Sequence, residues 1–88
     1  MSERKTGKAV RLYKGGIHSL IEAAVREDGV VCERYQDRGP YGYRWGAWRV
    51  TGKRLDVAAL PESIDCGFST LRTPYHGQDV SRIRLPLN

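Results

Sequence analysis

Apolar and polar residues alternate from Lys8 to Tyr13, with Val10 and Leu12 on one side, which is the period of a half-buried strand. Gly15 and Gly16 interrupt it. Beyond them, Ile17, Leu20, Ile21, Ala24 and Val25 recur at the i, i+3, i+4, i+7, i+8 spacing of one helical stripe, and Gly29 is placed to end that helix in the left-handed conformation. Ser19 and Glu22 fit a capping box, and Glu22 and Arg26 stand four apart on the side expected to face solvent. From Val30 the pattern becomes β-rich. Val30–Tyr35 and Tyr41–Val50 read as strands around a turn at Asp37–Pro40, and Thr51–Lys53 as a second turn. Arg54–Val57 reads as a short strand and Ala58–Asp65 as a loop or single helical turn. Cys66–Arg72 and Val80–Leu85 read as the last strands, joined by a loop over 73–78.

One helix and about five short strands would leave long edges exposed in a flat sheet, so curling relieves the problem. The expected architecture is α+β: one amphipathic helix packed on a small, strongly bent antiparallel sheet or SH3/Sm-like barrel. Residues 8–88 form the single domain, preceded by a flexible basic N-terminus over 1–7. At 88 residues and 40% apolar content, one modest core is all the chain supports.

Charge changes the picture more than length does. The net charge of +5 divides into +4 for residues 1–16, −3 for 17–37, +5 for 38–54 and −1 for 55–88. The most basic segment is also the most aromatic. Tyr35, Tyr41, Tyr43, Trp45 and Trp48 lie among Arg34, Arg38, Arg44, Arg49, Lys53 and Arg54, with Asp37 as the one acid in that stretch. Rings interleaved with cations stack bases and neutralise phosphates, and they equally form the anchor of a protein interface. Strict alternation from Tyr41 would put Tyr43, Trp45 and Ala47 on one face and Arg44, Trp48 and Val50 on the other. Gly42 and Gly46 allow a bulge that changes the relative face of the two tryptophans.

Catalytic signatures are missing. His18, His76, Cys32 and Cys66 lack the paired spacing of zinc modules, and the cysteines are expected to be reduced and partly buried. His18 and His76 could serve as acid and base in phosphodiester cleavage only if the fold brought both to one phosphate. Ser69, Thr70 and Thr73 lie near His76 and Asp79 without a nucleophile elbow, and no GxxxxGK[ST] or GxGxxG pattern occurs. No segment reaches the roughly 18 apolar residues of a membrane-spanning helix, and the charged N-terminus is followed by no apolar run of signal-peptide length, so a cytoplasmic protein is expected.

In order and pattern, residues 20–85 resemble the WYL domain of bacterial regulators. The likeness is carried by Leu20–Ala24, a strand ending at Tyr35, Gly46–Val50 with Trp48 at the motif's tryptophan, and Asp79–Ile83 with Arg82 and Ile83 as the basic-aliphatic pair of the last strand. Arg49 and Val50 stand where that family has tyrosine and leucine. The resemblance implies an Sm-like barrel that binds nucleic acid or a small ligand. From the residues themselves, the expected function is a non-enzymatic binding protein without a cofactor. Arg38, Tyr41, Tyr43, Arg44, Trp45, Trp48, Arg49, Lys53 and Arg54 would engage nucleic acid or a nucleoprotein complex, and a homo-oligomer is permitted. The alternatives are a phage-type inhibitor or adaptor that blocks a protein partner and, last, a small ribonuclease using His18 and His76.

Overall fold

The computed structural model describes residues 6–16 and 20–88. The chain runs β1 (Thr6–Lys14), β2 (Ile21–Arg26), β3 (Val30–Gly39), β4 (Gly42–Trp45), β5 (Arg49–Arg54), β6 (Ile64–Asp65), β7 (Thr70–Leu71), β8 (Thr73–Pro74) and β9 (Arg84–Pro86). Val57–Ala59 and Val80–Arg82 are single 3-10 turns, each capped by an aspartate side chain, from Asp56 and Asp79 respectively. Every pairing is antiparallel.

The expected helix is absent, because Ile21–Arg26 is a central strand between β1 and β3. All six of its residues are buried, with Ile21, Ala23 and Val25 facing one core and Ala24 the other. A short strand covered on both sides shows no two-residue alternation, and its apolar positions happened also to satisfy a helical spacing. The fold is accordingly a small, mostly β structure rather than α+β. Ile17, His18 and Ser19, and with them the capping box and the start of the proposed helix, lie outside the described residues.

Gly29 does take a positive φ of 88°, but in the three-residue loop between β2 and β3, where its N–H donates to Arg26 O at 2.9 Å. A type I turn followed by a left-handed glycine is a common hairpin connection. β3 continues to Gly39, so the next turn is Pro40–Tyr41, later than Asp37–Pro40. Thr6 and Gly7 belong to β1 rather than to a loose N-terminus. Val10 and Leu12 pack into different cores because the β1–β2 register shifts between Ala9 and Arg11.

Strands β4 and β5 follow one another along the same edge of β3, as β9 and β8 do along β1. The sheet therefore has two faces. The Val31 face carries Tyr13, Ile21, Ala23, Val25 and Val31 and is roofed by Leu55, Val57, Leu60, Ile64, Cys66 and Leu71. This roof, from the segment expected to be loop and strand, occupies the place assigned to the helix; Tyr13 Oη holds it by donating to Pro61 O at 2.7 Å. The Cys32 face carries Ala9, Leu12, Ala24, Cys32 and Leu85, closed over by Trp48, Val50, Tyr75, Val80 and Ile83. β5 approaches β9 as the sheet bends, although no ladder joins them among the described residues. Cys66–Arg72 is not one strand: Cys66–Ser69 turns the β6–β7 hairpin. Asp79–Ile83 is mainly a 3-10 turn, and the closing strand starts at Arg84.

Arg26 fastens that closing strand. Its guanidinium is buried, donates to the backbone oxygens of Pro86 and Leu87 at 2.7 and 2.8 Å, and chelates Asp28 through Nε and Nη2. The Arg26 side chain beside it holds the Asp28 carboxyl well down, at about 2.

Candidate functional site

On the Cys32 face the register builds rows of side chains across the strands. Ala24, Cys32 and Val50 form an apolar row, since Ala24 pairs with Cys32 and Cys32 with Val50. In the next row Lys14 pairs with Glu22 and Glu22 with Arg34. One step further, Gln36 pairs with Trp45 and donates its backbone N–H to Leu20 O at 2.7 Å, and after that Arg38 pairs with Tyr43. Opposed residues share a face, so the surface grades from core to polar network to exposed aromatic ground.

Trp48 joins these rows through a local irregularity. Between the pairs Gln36–Trp45 and Glu33–Arg49, β3 advances three residues while the partner chain advances four. The extra residue falls in Gly46–Trp48, where Gly46 N–H still donates to Tyr35 O at 2.8 Å. A one-residue bulge reverses the face of everything beyond it. Trp48 thereby arrives on the same side as Trp45, beside Arg34.

The Arg34 guanidinium is the centre of the arrangement. Its carbon lies 4.9 Å from the centroid of the Trp45 ring and 4.8 Å from that of Trp48. Its Nε and Nη2 both lie 2.5 Å from Glu22 Oε1, and the other oxygen of Glu22 accepts the hydroxyl of Tyr75. Glu22 is only 4% exposed, so this carboxylate is a fixed internal anchor rather than the solvent-facing partner of Arg26 that a helix would have made it. Burial and the adjoining Glu22 push the Tyr75 phenol up to about 12, which keeps it a donor across the physiological range. Lys14 sits over the other side of this group, 5.9 Å from the Tyr75 centroid.

What remains accessible is Trp45 at 37% exposure, with Tyr43, Leu20 and Arg38 around it. Trp48 is half-buried against the core. Tyr41 is fully exposed at the hairpin tip, where Gly39, Pro40, Tyr41, Gly42 and Arg44 line a shallow hollow of about 310 Å³.

Of the residues expected to act together, the fold brings Arg38, Tyr43, Trp45 and Trp48 onto one face. Arg44 and Arg49 point to the other side, Arg44 opposite Asp37 and Arg49 over the Tyr35 ring at 5.6 Å, where Phe68 makes an edge contact with Tyr35 at 6.0 Å. Arg54 pairs with Val30, six residues from Gln36 along β3 and hence about 20 Å away by strand rise. Lys53, its neighbour, is tied to Asp65. Glu22, Tyr75, Gln36 and Leu20 belong to the site and were not anticipated. The sequence signal for Glu22 was present, a carboxylate within an apolar run, but it had been placed on a helix.

Of the other candidate centres, only the two cysteines can be placed relative to one another, and they lie apart. His76 is exposed, and His18 lies outside the described residues. Cys32 and Cys66 are free, buried, and on opposite faces of the sheet. No cluster of metal-ligating side chains occurs among the described residues, and no helix there is long and apolar enough to cross a membrane. No family model, curated protein or solved structure matches the chain, so the likeness to WYL domains rests on its short motifs alone.

Proposed function

We propose that the protein is a non-enzymatic binding module for single-stranded nucleic acid, and that the exposed half of the Cys32 face is its stacking surface. The observation that carries this is the Trp45–Arg34–Trp48 group fixed by buried Glu22. An indole already immobilised by a guanidinium on one side loses little freedom when a base stacks on the other. Tyr43 offers a second ring beside it, and Arg38, exposed and without an ion pair among the described residues, can meet a phosphate. Lys14, at the opposite end of the Glu22 row, supplies another exposed cation.

The test is binding of a fluorescein-labelled single-stranded octamer, followed by anisotropy as salt is varied. Two phosphates neutralised by Arg38 and Lys14 should give roughly a sevenfold loss of affinity between 50 and 200 mM salt. Trp45→Ala should weaken binding by about tenfold, the cost of one stacked base, while the urea midpoint stays close to that of the unaltered protein. Binding indifferent to both salt and Trp45 would refute the proposal.

A protein partner is the competing outcome, favoured by one feature: β4 is exposed at every residue and is preceded, at the hairpin tip, by fully exposed Tyr41 beside an apolar hollow. A projecting hairpin of this kind can enter a cleft, as an inhibitor or adaptor would. A stoichiometric protein complex that survives nuclease treatment and is lost with Tyr41→Ala would establish that alternative.

A further inference from the structure

On the exposed half of the Cys32 face the side chains stand in a file along the strands. Arg34 and Trp48 come first, then Gln36 with Trp45, then Arg38 with Tyr43. The Arg34 guanidinium fills the space between the two indoles, 4.8 Å from the Trp48 centroid and 4.9 Å from that of Trp45. Arg34 and Tyr43 lie on opposite sides of the Gln36–Trp45 pair, so the second face of Trp45 looks toward Tyr43. Nothing in the chain fills that side. Among the described residues the one ring–ring contact is Tyr35–Phe68, and the cations over rings are Lys14, Arg34 and Arg49, with Arg34 the one that meets Trp45. Tyr43 and Trp45 are both exposed. Two residues along a strand rise about 6.7 Å. A planar group stacked on both sides needs about twice the 3.4 Å step between successive bases, or about 6.8 Å. The gap between Trp45 and Tyr43 is thus one ring thick.

We infer that Trp45 and Tyr43 grip one base between them, and that the ligand is a single strand that gives up that base from its own stack. The inference rests on the nucleic-acid reading given above. Both faces of the gripped base are covered by protein, so neither neighbour in the strand stays stacked on it. A duplex, whose bases keep both faces occupied, does not fit. A partner's arginine side chain is planar too, but the slot is backed by Arg34 and rimmed by exposed Arg38, whose charges repel a guanidinium and favour a base that brings its phosphate. The file Trp48, Arg34, Trp45, base, Tyr43 then lengthens a cation–π stack that Glu22 already holds in place.

The experiment uses three labelled deoxy octamers on the full chain at low salt: all thymine, all abasic, and abasic except for one thymine at the fourth position. The unaltered protein should bind the one-thymine strand at least about tenfold more tightly than the abasic strand. Trp45→Ala and Tyr43→Ala should each lower affinity for the one-thymine strand by about tenfold, because the same base touches both rings, and Tyr43→Phe should stay within about twofold. Should either alanine variant fold poorly by circular dichroism, Trp45→Thr and Tyr43→Thr remove the rings while keeping strand propensity, with the same losses expected. Rings that serve separate bases behave differently: a lone thymine then moves to whichever ring remains, so each single substitution costs no more than about twofold and only the double variant loses binding. That pattern, a loss confined to one of the two rings, or a thymine that adds nothing to the abasic strand would overturn the inference, while binding of the all-thymine strand leaves the stacking surface standing. No binding of the all-thymine strand would overturn both.

Discussion

Replacing Glu22 by glutamine removes one charge and almost no volume, from a side chain 4% exposed that serves three donors: Arg34 Nε, Arg34 Nη2 and the Tyr75 hydroxyl. A glutamine oxygen can still accept from Arg34, and Tyr75 can turn to accept from the new amide. The loss is therefore that of charge assistance, about 2 kcal/mol after allowing for the 28% exposure of the Arg34 side chain. Glu22→Leu is the harsher change, since it leaves a guanidinium between two indoles with no carboxylate, and should cost about 3–4 kcal/mol. For a domain of this length those figures correspond to about 8–16 °C of thermal midpoint for the glutamine variant. The assay is urea unfolding followed by tryptophan fluorescence, which reports directly on Trp45 and Trp48, combined with a double-mutant cycle of Glu22→Leu and Arg34→Met. A coupling of at least 1 kcal/mol with an unchanged denaturant slope is expected. Coupling below about 0.5 kcal/mol would refute the account of Glu22 as the anchor of the stack.

Gly29→Ala should destabilise by about 3 kcal/mol in the same assay, because φ there is +88° and an added Cβ would lie 2.2 Å from Leu55 O, a backbone atom that cannot swing aside. The Arg26–Asp28 chelate sets an acid limit: the Asp28 pKa is lowered from 3.8 to about 2, so its contribution is complete above about pH 4 and disappears as pH falls toward 2. Asp28→Asn should flatten that part of a stability-against-pH curve measured by circular dichroism. Burial, reinforced by Glu33, pushes the Cys66 thiol to about 12, and burial also raises Cys32. Neither should react with a thiol reagent at pH 8 until denaturant is added, and oxidation of the native monomer should give no intramolecular disulfide, the two residues lying on opposite faces of the sheet.

The concentration of rings and arginines between Tyr35 and Arg54 was legible in the sequence, as were β1 and the first half of β3, whereas the expected turn at Asp37–Pro40 fell early and the expected strand Tyr41–Val50 is split between β4 and β5. The layout of the site was not. Ile21, Ala24 and Val25, which carry the later part of the helical spacing, belong to a strand buried on both sides, so nothing in its hydrophobicity marks a two-residue period. Once that segment was read as a helix, Glu22 and Arg26 became a surface pair. In the fold they are two buried charges with separate partners, Arg34 and Asp28, each closing a different part of the sheet. Charge clustering likewise overstated the surface, since Lys53 and Arg54 lie beyond two register shifts from Trp45 and Arg44 and Arg49 turn to the opposite side. Composition recognises that rings and cations are close in sequence; only register decides which of them share a face.

The bulge between β4 and β5 makes that last point testable by deletion. Removing a residue from a paired strand ordinarily reverses every side chain beyond it, which in a two-faced sheet this small would exchange core for surface. Ala47 is the exception. It is exposed, lies in the unpaired stretch between Trp45 and Arg49, and accounts for the one residue by which this chain exceeds β3. Without it the ladder can run straight from Gln36–Trp45 through Tyr35–Gly46 to Glu33–Arg49 and Cys32–Val50, with Trp48 still opposite Arg34. Deleting Ala47 should therefore leave a folded protein, with a change in stability within about 1 kcal/mol and the Glu22–Arg34 coupling intact. Deleting Tyr43 instead removes a residue from the paired strand β4, and should disturb the placement of Trp45 on Arg34. Unfolding of the Ala47 deletion, or loss of the coupling in it, would show that the irregularity does more than carry Trp48 to the same face as Trp45.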